Sequence, residues 1–260
     1  MIVIDPNTGQ RIRDYAEHSP PEAAVLLERA ARAFEAWRET PLLERARLLH
    51  AAAGALRARC GEHARLMTRE MGKPIGAAEA EVEKCALTCD FFADHAFAFL
   101  APEPVVTEAA KSYVRFDPLG VVLAVMPWNF PFWQVFRCAA PALAAGNAVA
   151  LKHASNVPGS ALAIEQVFRE AGFPEGLFTA LMVRSRLVPD LIRHPAVSAV
   201  SLTGGEPAGV AVAALAGAAL KKTVLELGGS DPFIVLADAD PVAVAQPAAL
   251  ARTVNNGQSC

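Results

Sequence analysis

The sequence predicts an α/β fold in which helices cover both faces of a parallel β-sheet. Short β-rich apolar runs alternate with helical patterns from residue 118 to residue 236. This alternation is typical of parallel strands that are joined by crossover helices. The chain has 260 residues, of which 53% are apolar, so it can bury a sizeable core in one large domain or two smaller ones.

The segment from residue 22 to residue 100 predicts helices rather than strands. Apolar residues recur at helical spacing in the first of them, and Pro41 then interrupts the pattern. Gly72-Lys73-Pro74 is a stop signal after the second helix, and prolines also follow the third. We expect these helices over residues 22–38, 42–71 and 77–99.

Two short strands are predicted next, over residues 105–107 and 111–117, on either side of Glu108-Ala109-Ala110. Strands and helices alternate beyond this point. We expect strands over residues 120–126, 148–152, 178–183, 196–202, 222–227 and 233–236. We expect helices over residues 132–145, 158–171 and 206–220.

Four positions lie at or just beyond the carboxyl ends of predicted strands: Asn129, Lys152, Gly204 and Glu226. Ligands of open parallel sheets bind at this edge, in the crevice outside the strand ends. The positions therefore predict one shared binding site.

Charge and hydropathy exclude several classes of partner. The net charge is −3 and there is no long basic run, so nothing favours binding to nucleic acid or to a membrane. Residues 119–151 are very apolar but contain Arg137 and several prolines, and residues 208–220 are too short to span a bilayer. We expect both segments in the core. The N-terminus shows no signal-peptide pattern, so we expect a cytoplasmic protein.

The five cysteines do not predict a disulfide framework, because their number is odd and their spacing irregular. Cys85 and Cys89 lie four residues apart on a predicted helix, which could place two metal ligands on one face. No CxxC pattern or nearby histidine pair completes such a site. We therefore expect two small core residues, on a stripe with Phe92 and Ala96, and no metal site.

Three separate segments carry side chains that could take part in catalysis. Cys260 follows Asn255-Asn256-Gly257-Gln258-Ser259, and Glu226 stands alone in the apolar run Val-Leu-Glu-Leu-Gly-Gly. Asn129 lies in Pro-Trp-Asn-Phe-Pro. A thiol, an isolated carboxylate and an amide can attack a carbonyl, activate water and hold an oxyanion.

Taken together and in this order, these motifs resemble the aldehyde dehydrogenase superfamily over nearly the whole chain. The resemblance implies a Rossmann-type sheet and a covalent mechanism in which Cys260 attacks an aldehyde. Asn129 and the backbone N–H of Cys260 are then expected to stabilise the oxyanion. Glu226 is expected to activate water, which favours release of a carboxylic acid over transfer to coenzyme A.

The resemblance also implies that NAD or NADP is the cofactor. Many members that prefer NAD carry a glutamate where this chain has Ser155, so the serine should tolerate the 2′-phosphate of NADP. Gly205 replaces a frequent serine in the turn that approaches the pyrophosphate, so phosphate contacts are expected to be altered. The cofactor-binding residues implied are Trp128, Lys152, Ser155, Gly204, Gly205 and Leu227.

Arg137 bears on the identity of the aldehyde. Family members that act on succinate semialdehyde carry an arginine at this offset from the Pro-Trp-Asn-Phe-Pro motif, where it holds the distal carboxylate. The alternative is a structural ion pair. A second arginine of some of these enzymes is replaced here by Val254, with Arg252 two residues earlier, so another small or acidic aldehyde also remains open.

The resemblance further implies a division of the chain. Residues 1–100 and 118–228 are expected to form the dinucleotide-binding domain, and residues 101–117 a hairpin that joins subunits of a dimer or tetramer. Residues 229–260 are expected to begin a catalytic domain that is truncated here, since family members are longer. The alternative is an inactive remnant that binds nucleotide or partner subunits.

Overall fold

A computed structural model describes residues 1–260, which form nine strands and nine α-helices. The strands are β1 (Ile2–Ile4), β2 (Arg11–Asp14), β3 (Glu103–Pro104), β4 (Tyr113–Val114), β5 (Val121–Val125), β6 (Ala148–Lys152), β7 (Phe178–Ala180), β8 (Val197–Gly204) and β9 (Lys222–Leu227). The helices are α1 (Pro20–Trp37), α2 (Leu42–Ala58), α3 (Cys60–Met71), α4 (Ile75–Phe99), α5 (Trp133–Ala144), α6 (Pro158–Glu170), α7 (Val188–Arg193), α8 (Glu206–Ala218) and α9 (Pro241–Thr253).

Five parallel strands form the main sheet, in the order β7-β6-β5-β8-β9. The chain proceeds from β5 to β6 and β7 on one side, and then returns to add β8 and β9 on the other. The strand order therefore reverses between β5 and β8, which opens a crevice at their carboxyl ends. The predicted α/β fold with a parallel sheet is confirmed.

The core lies around the first four of these strands in sheet order. β6 is buried at all five positions, and β5 and β8 are buried at most of theirs. Helix α1 packs against β5, β6 and β7, while α8 packs against β8 and β9. The Trp37 indole, 1% exposed, donates a hydrogen bond to the carbonyl oxygen of Leu143 at 3.0 Å and so ties α1 to α5.

The predicted helix over residues 42–71 is wrong in one respect, because the structure divides it into α2 and α3. Arg59 separates them with φ −116° and ψ 22°, outside the helical region. Its guanidinium bonds to Glu62 and to Glu170 at the end of α6, which stabilises the break. The predicted stop signal is confirmed, since α3 ends at Met71 and Gly72 follows it in the left-handed conformation with φ 79°.

The predicted strands outside the main sheet are mostly wrong. Residues 233–236 are irregular and exposed, with no neighbouring strand to pair with them. The hairpin pairs Glu103 with Val114 and Pro104 with Tyr113, and beyond these pairs the Val105 N–H donates to the carbonyl oxygen of Ser112 at 2.9 Å. The sequence reading missed the β1–β2 hairpin and helices α7 and α9.

We expected the apolar segment over residues 208–220 to lie in the core, and this expectation is wrong. Helix α8 buries only Gly209, Val212 and Ala216, because it covers the β8–β9 edge of the sheet with one face. Cys85 and Cys89 are both fully buried in the core cluster. None of the helices combines the length and the apolar character that crossing a bilayer requires.

Candidate functional site

The crevice between β5 and β8 contains a cavity of about 340 Å³. Four segments meet around it: the loop after β5, the turn after β8, Gly228 just after β9 and the last residues of the chain. Five of the predicted site residues line it, namely Trp128, Asn129, Gly204, Gly205 and Cys260. The structure therefore brings the predicted nucleophile, the predicted oxyanion donor and the glycine turn to one place.

Hydrogen bonds tie the Cys260 turn to the Asn129 loop. Asn129 Nδ2 donates to the carbonyl oxygen of Gln258 at 2.7 Å, and Asn255 Nδ2 donates to the carbonyl oxygen of Asn129 at 2.8 Å. Asn255 holds φ at 54°, a conformation that asparagine tolerates better than most residues. Since an amide NH₂ has two hydrogens, Asn129 keeps one free to donate. The Cys260 thiol is exposed at the cavity.

Glu226 and Arg137 contact each other outside this cavity. Arg137 Nη2 of α5 lies 2.7 Å from Glu226 Oε2 of β9, and both side chains are partly exposed. The predicted base and the predicted substrate-binding arginine thus form an ion pair. The sequence left open that Arg137 forms a structural ion pair, and in the structure Arg137 pairs with Glu226.

The remaining predicted cofactor residues, Lys152, Ser155 and Leu227, do not line the cavity. Lys152 ends β6 with only 4% exposure, and its Nζ donates to Ser185 Oγ at 3.1 Å. Burial lowers the pKa of Lys152, and no carboxylate lies within ion-pair distance of it. Ser155 is exposed. Leu227 packs under α8, where a Cβ added to Gly209 would lie 2.6 Å from its Cδ2.

The glycine turn leaves the N-terminus of α8 open. Gly205 precedes the helix without a side-chain cap, and the nearest atom to a Cβ built on it is Pro207 Cδ at 3.8 Å. Uncapped N–H groups at a helix N-terminus favour a phosphate. Glu206 in the first turn opposes this with a negative charge. An open helix end and a buried lysine without a carboxylate partner fit a dinucleotide.

His153 supports the Asn129 loop, and the sequence reading missed this role. The ring is buried, with Nε2 2.9 Å from the carbonyl oxygen of Pro131 and Nδ1 3.4 Å from that of Met126. Burial lowers the pKa of His153 to about 4, so the ring is neutral and carries one N–H. The shorter contact indicates that this N–H donates to Pro131. Its place directly after β6, beside β5, was the available signal.

These features define a doubly wound α/β fold whose switch-point crevice is bordered by a thiol, a side-chain amide and an open helix end. The chain belongs to the aldehyde dehydrogenase family, whose model matches residues 1–260. The whole chain is 53% identical to a probable NADP(+) succinate-semialdehyde dehydrogenase of Synechocystis sp.. It is 49% identical to NADP(+) succinate-semialdehyde dehydrogenase 1 of Mycobacterium tuberculosis.

The solved structures agree with this membership. The chain superimposes over its full length on succinic semialdehyde dehydrogenase from Streptococcus pyogenes, solved in complex with NADP+, with a TM-score of 0.96 and 39% identity. It covers 57% of that structure. It likewise spans 57% and 58% of the length of the two curated relatives.

Proposed function

We propose that the protein is an NADP-accepting aldehyde dehydrogenase that oxidises succinate semialdehyde to succinate. The observation that carries the proposal is the single cavity at the sheet's switch point that Asn129, the glycine turn and Cys260 share. The relatives named as NADP(+) succinate-semialdehyde dehydrogenases support the choice of substrate and cofactor.

In the first step, the Cys260 thiolate attacks the aldehyde carbon, a C–S bond forms and the carbonyl oxygen becomes an oxyanion. The free amide hydrogen of Asn129 and the backbone N–H of Cys260 donate to this oxygen. Asn129 is held for the task by Gln258 and Asn255, so little reorganisation is needed as charge develops.

Bound NADP+ would supply a hydride acceptor for the aldehyde carbon, leaving an acyl thioester on Cys260. Glu226, which pairs with Arg137 outside the cavity, then has to turn towards Cys260, where it removes a proton from a water molecule that attacks the thioester carbon. The C–S bond breaks, the Cys260 thiolate leaves and a carboxylic acid is released. Glu226 is half exposed, so it can return its proton to solvent.

The cofactor residues proposed are those of the crevice and its surroundings. Gly204 and Gly205 admit the pyrophosphate to the N-terminus of α8, and Lys152 places a cation at the end of β6. Ser155 is exposed and uncharged, so it does not repel a 2′-phosphate. Trp128 and Leu227 are proposed to complete the apolar walls of this site.

The distribution of buried and exposed residues supports a division into domains and a surface that joins subunits. Residues 1–100 and 118–228 contain nearly all of the buried core and are proposed to form the nucleotide-binding domain. Residues 229–260 are proposed to belong to the catalytic domain. Residues 101–117 are proposed to join subunits, since the hairpin exposes Val105, Val106 and Tyr113.

Arg137 has two candidate roles. Only its Nη2 contacts Glu226, and a guanidinium has five N–H donors, so it can also bind the distal carboxylate of succinate semialdehyde. The ion pair itself favours a second possibility, in which Arg137 only holds Glu226 and the aldehyde need not be acidic.

Kinetics of Arg137→Gln, with butanal as an uncharged reference substrate, separate these roles. If Arg137 binds the carboxylate, we expect the KM for succinate semialdehyde to rise about 10- to 100-fold. The kinetics with butanal should then stay near wild type. If Arg137 only holds Glu226, kcat should fall for both substrates alike. A wild-type protein that reduces no NADP+ with either aldehyde contradicts the proposed function.

A further inference from the structure

Two buried carboxylates take no part in the proposed chemistry. Glu70 near the end of α3 and Glu81 in α4 are each only 4% exposed. Nearly all charges of this kind are paired or hydrogen-bonded, because removing a carboxylate from water is costly. Both carboxylates use their oxygens on the first backbone N–H groups of another helix.

Glu81 holds the beginning of α5. Its Oε1 accepts hydrogen bonds from the backbone N–H groups of Phe132 and Trp133, both at 2.9 Å. No side chain of the neighbouring segment caps this helix. A carboxylate from α4 therefore satisfies the open donors of α5 and complements its dipole.

Glu70 does the same for α6. Its Oε1 accepts from the N–H of Gly159 at 2.7 Å, and its Oε2 accepts from the N–H and the hydroxyl of Ser160 at 2.9 and 2.7 Å. Burial raises the pKa of Glu70, and these three hydrogen bonds oppose the rise. A Cβ on Gly159 would lie 2.7 Å from Glu70 Oε1, so glycine allows the approach.

The helix held by each carboxylate follows a different site loop. Helix α5 follows the loop that carries Asn129, and α6 follows the loop that begins after Lys152 at the end of β6 and carries Ser155. The first loop belongs to the proposed oxyanion site and the second to the proposed nucleotide site. The two carboxylates are thus matched in burial and bonding but differ in the loop they control.

Lys73 adds to the Glu81 contact. Its side chain is fully buried and pairs with Glu81 Oε2, and its Nζ lies 4.0 Å from the centre of the Phe130 ring. Phe130 is the residue after Asn129. The loop is therefore held on both sides of Asn129, by His153 and Glu81 through its backbone and by Lys73 through Phe130.

We propose that Glu81 and Glu70 are positioning residues with separate tasks. Glu81 orients the Asn129 loop for oxyanion stabilisation, and Glu70 orients the Lys152–Ser155 loop for nucleotide binding. The assignment to catalysis rests on the proposed function, whereas the local control of each loop does not. Neither residue touches the reacting atoms.

Glu81→Gln and Glu70→Gln in the full-length protein test the proposal, each as the matched control of the other. For Glu81→Gln we expect kcat to fall about 10- to 100-fold, since small displacements of a catalytic group have effects of this size. The NADP+ Kd, measured by calorimetry, should stay within about twofold of wild type. For Glu70→Gln we expect the NADP+ Kd to rise about 10-fold, and kcat at saturating NADP+ to fall less than in Glu81→Gln, because His153 links the second loop to Pro131 of the first.

Hydrogen exchange gives a readout that does not depend on activity. Glu81→Gln should accelerate amide exchange most in residues 126–136, and Glu70→Gln should accelerate it most in residues 152–162. If Glu81→Gln fails to fold because Lys73 is left unpaired, the double variant Lys73→Met with Glu81→Gln removes both charges and serves in its place.

The outcomes separate the two proposals. If both variants change kcat and Kd alike, or loosen the two loops to the same extent, or loosen neither, the division of tasks is overturned. If wild type shows no aldehyde dehydrogenase activity, the proposed function fails, and the exchange pattern and the NADP+ Kd still decide whether each carboxylate controls its own loop.

Discussion

Strand β6 buries all five of its residues, whereas helix α9 buries none of its thirteen. Loops that follow β5 and β6 are held by buried groups such as His153, Glu81 and Glu70. The segment that carries Cys260 is exposed, and of its residues from 229 onward only Asn255 is buried.

This difference shows that the site is built in two ways. The oxyanion and nucleotide sides are part of the hydrophobic core, so their geometry is set by packing. The nucleophile side is held by hydrogen bonds of Asn255 and Asn256 and by the bond from Asn129 to Gln258. In the chain of 260 residues, changes in the first region should alter the stability of the whole fold, and changes in the second should mainly alter the chemistry.

Two leucine-to-alanine changes test the contrast most strongly. Leu123 in β5 is fully buried, so Leu123→Ala should lower the free energy of unfolding by about 2 to 5 kcal/mol. Leu250 in α9 is 67% exposed in the chain of 260 residues, so in this chain Leu250→Ala should change it by less than about 0.5 kcal/mol. Urea denaturation measures both, and equal losses would contradict the contrast.

The stability of the fold in acid should depend on His153, the buried histidine that supports the Asn129 loop. The pKa of His153 is lowered from 6.5 to about 4 by burial, so below pH 6.5 the unfolded chain takes up a proton that the folded chain does not. This favours unfolding, and the contribution of His153 to stability is lost as the pH falls from 6.5 towards 4.

His153→Gln should therefore reduce the loss of stability between pH 7 and pH 4.5 by roughly 1 to 3 kcal/mol. His63 is buried with a similarly lowered pKa, so part of the acid sensitivity should persist. Thermal denaturation across this range provides the measurement. An unchanged pH dependence in His153→Gln would show that the ring does not titrate as its burial requires.

The hydrogen bond from Asn255 to the Asn129 carbonyl, which holds the segment that carries Cys260, can be tested by substitution. Asn255→Gly keeps the left-handed backbone but loses the bond to the Asn129 carbonyl, and we expect kcat to fall about 5- to 10-fold. Asn255→Ala adds backbone strain and should lower kcat further. The NADP+ Kd should not change, and only Asn255→Ala should lose stability, by the roughly 1 to 2 kcal/mol of its backbone strain. A larger loss of stability in Asn255→Ala, or a similar loss in Asn255→Gly, would place this segment with the core.

The local sequence pattern was sufficient for most of the sheet. Apolar β-rich runs and intervening helices predicted β5, β6 and β8, since burial on both faces leaves a clear signal. The run over residues 233–236 has the same composition but pairs with nothing, and composition cannot distinguish these cases. Helix α9 was missed although Asp240 and Pro241 are a typical helix start.

The site residues that belong to sequence motifs could be predicted, whereas contacts between residues far apart in the chain could not. Cys260, Asn129 and the glycine turn were expected together, and they line one cavity. The ion pair of Arg137 with Glu226 joins residues far apart in the chain. Glu70 and Glu81 lie in charged helical segments, where a buried carboxylate has the same sequence signal as an exposed one.

The most direct test of the proposed mechanism is the identification of the acylated residue. Glu226→Gln should slow thioester hydrolysis, so the full-length variant is mixed with succinate semialdehyde and NADP+, quenched in acid and analysed by peptide mass spectrometry. We predict a succinyl thioester on Cys260. No acyl adduct, or an adduct on another cysteine such as Cys60, would contradict the assignment of Cys260 as the nucleophile.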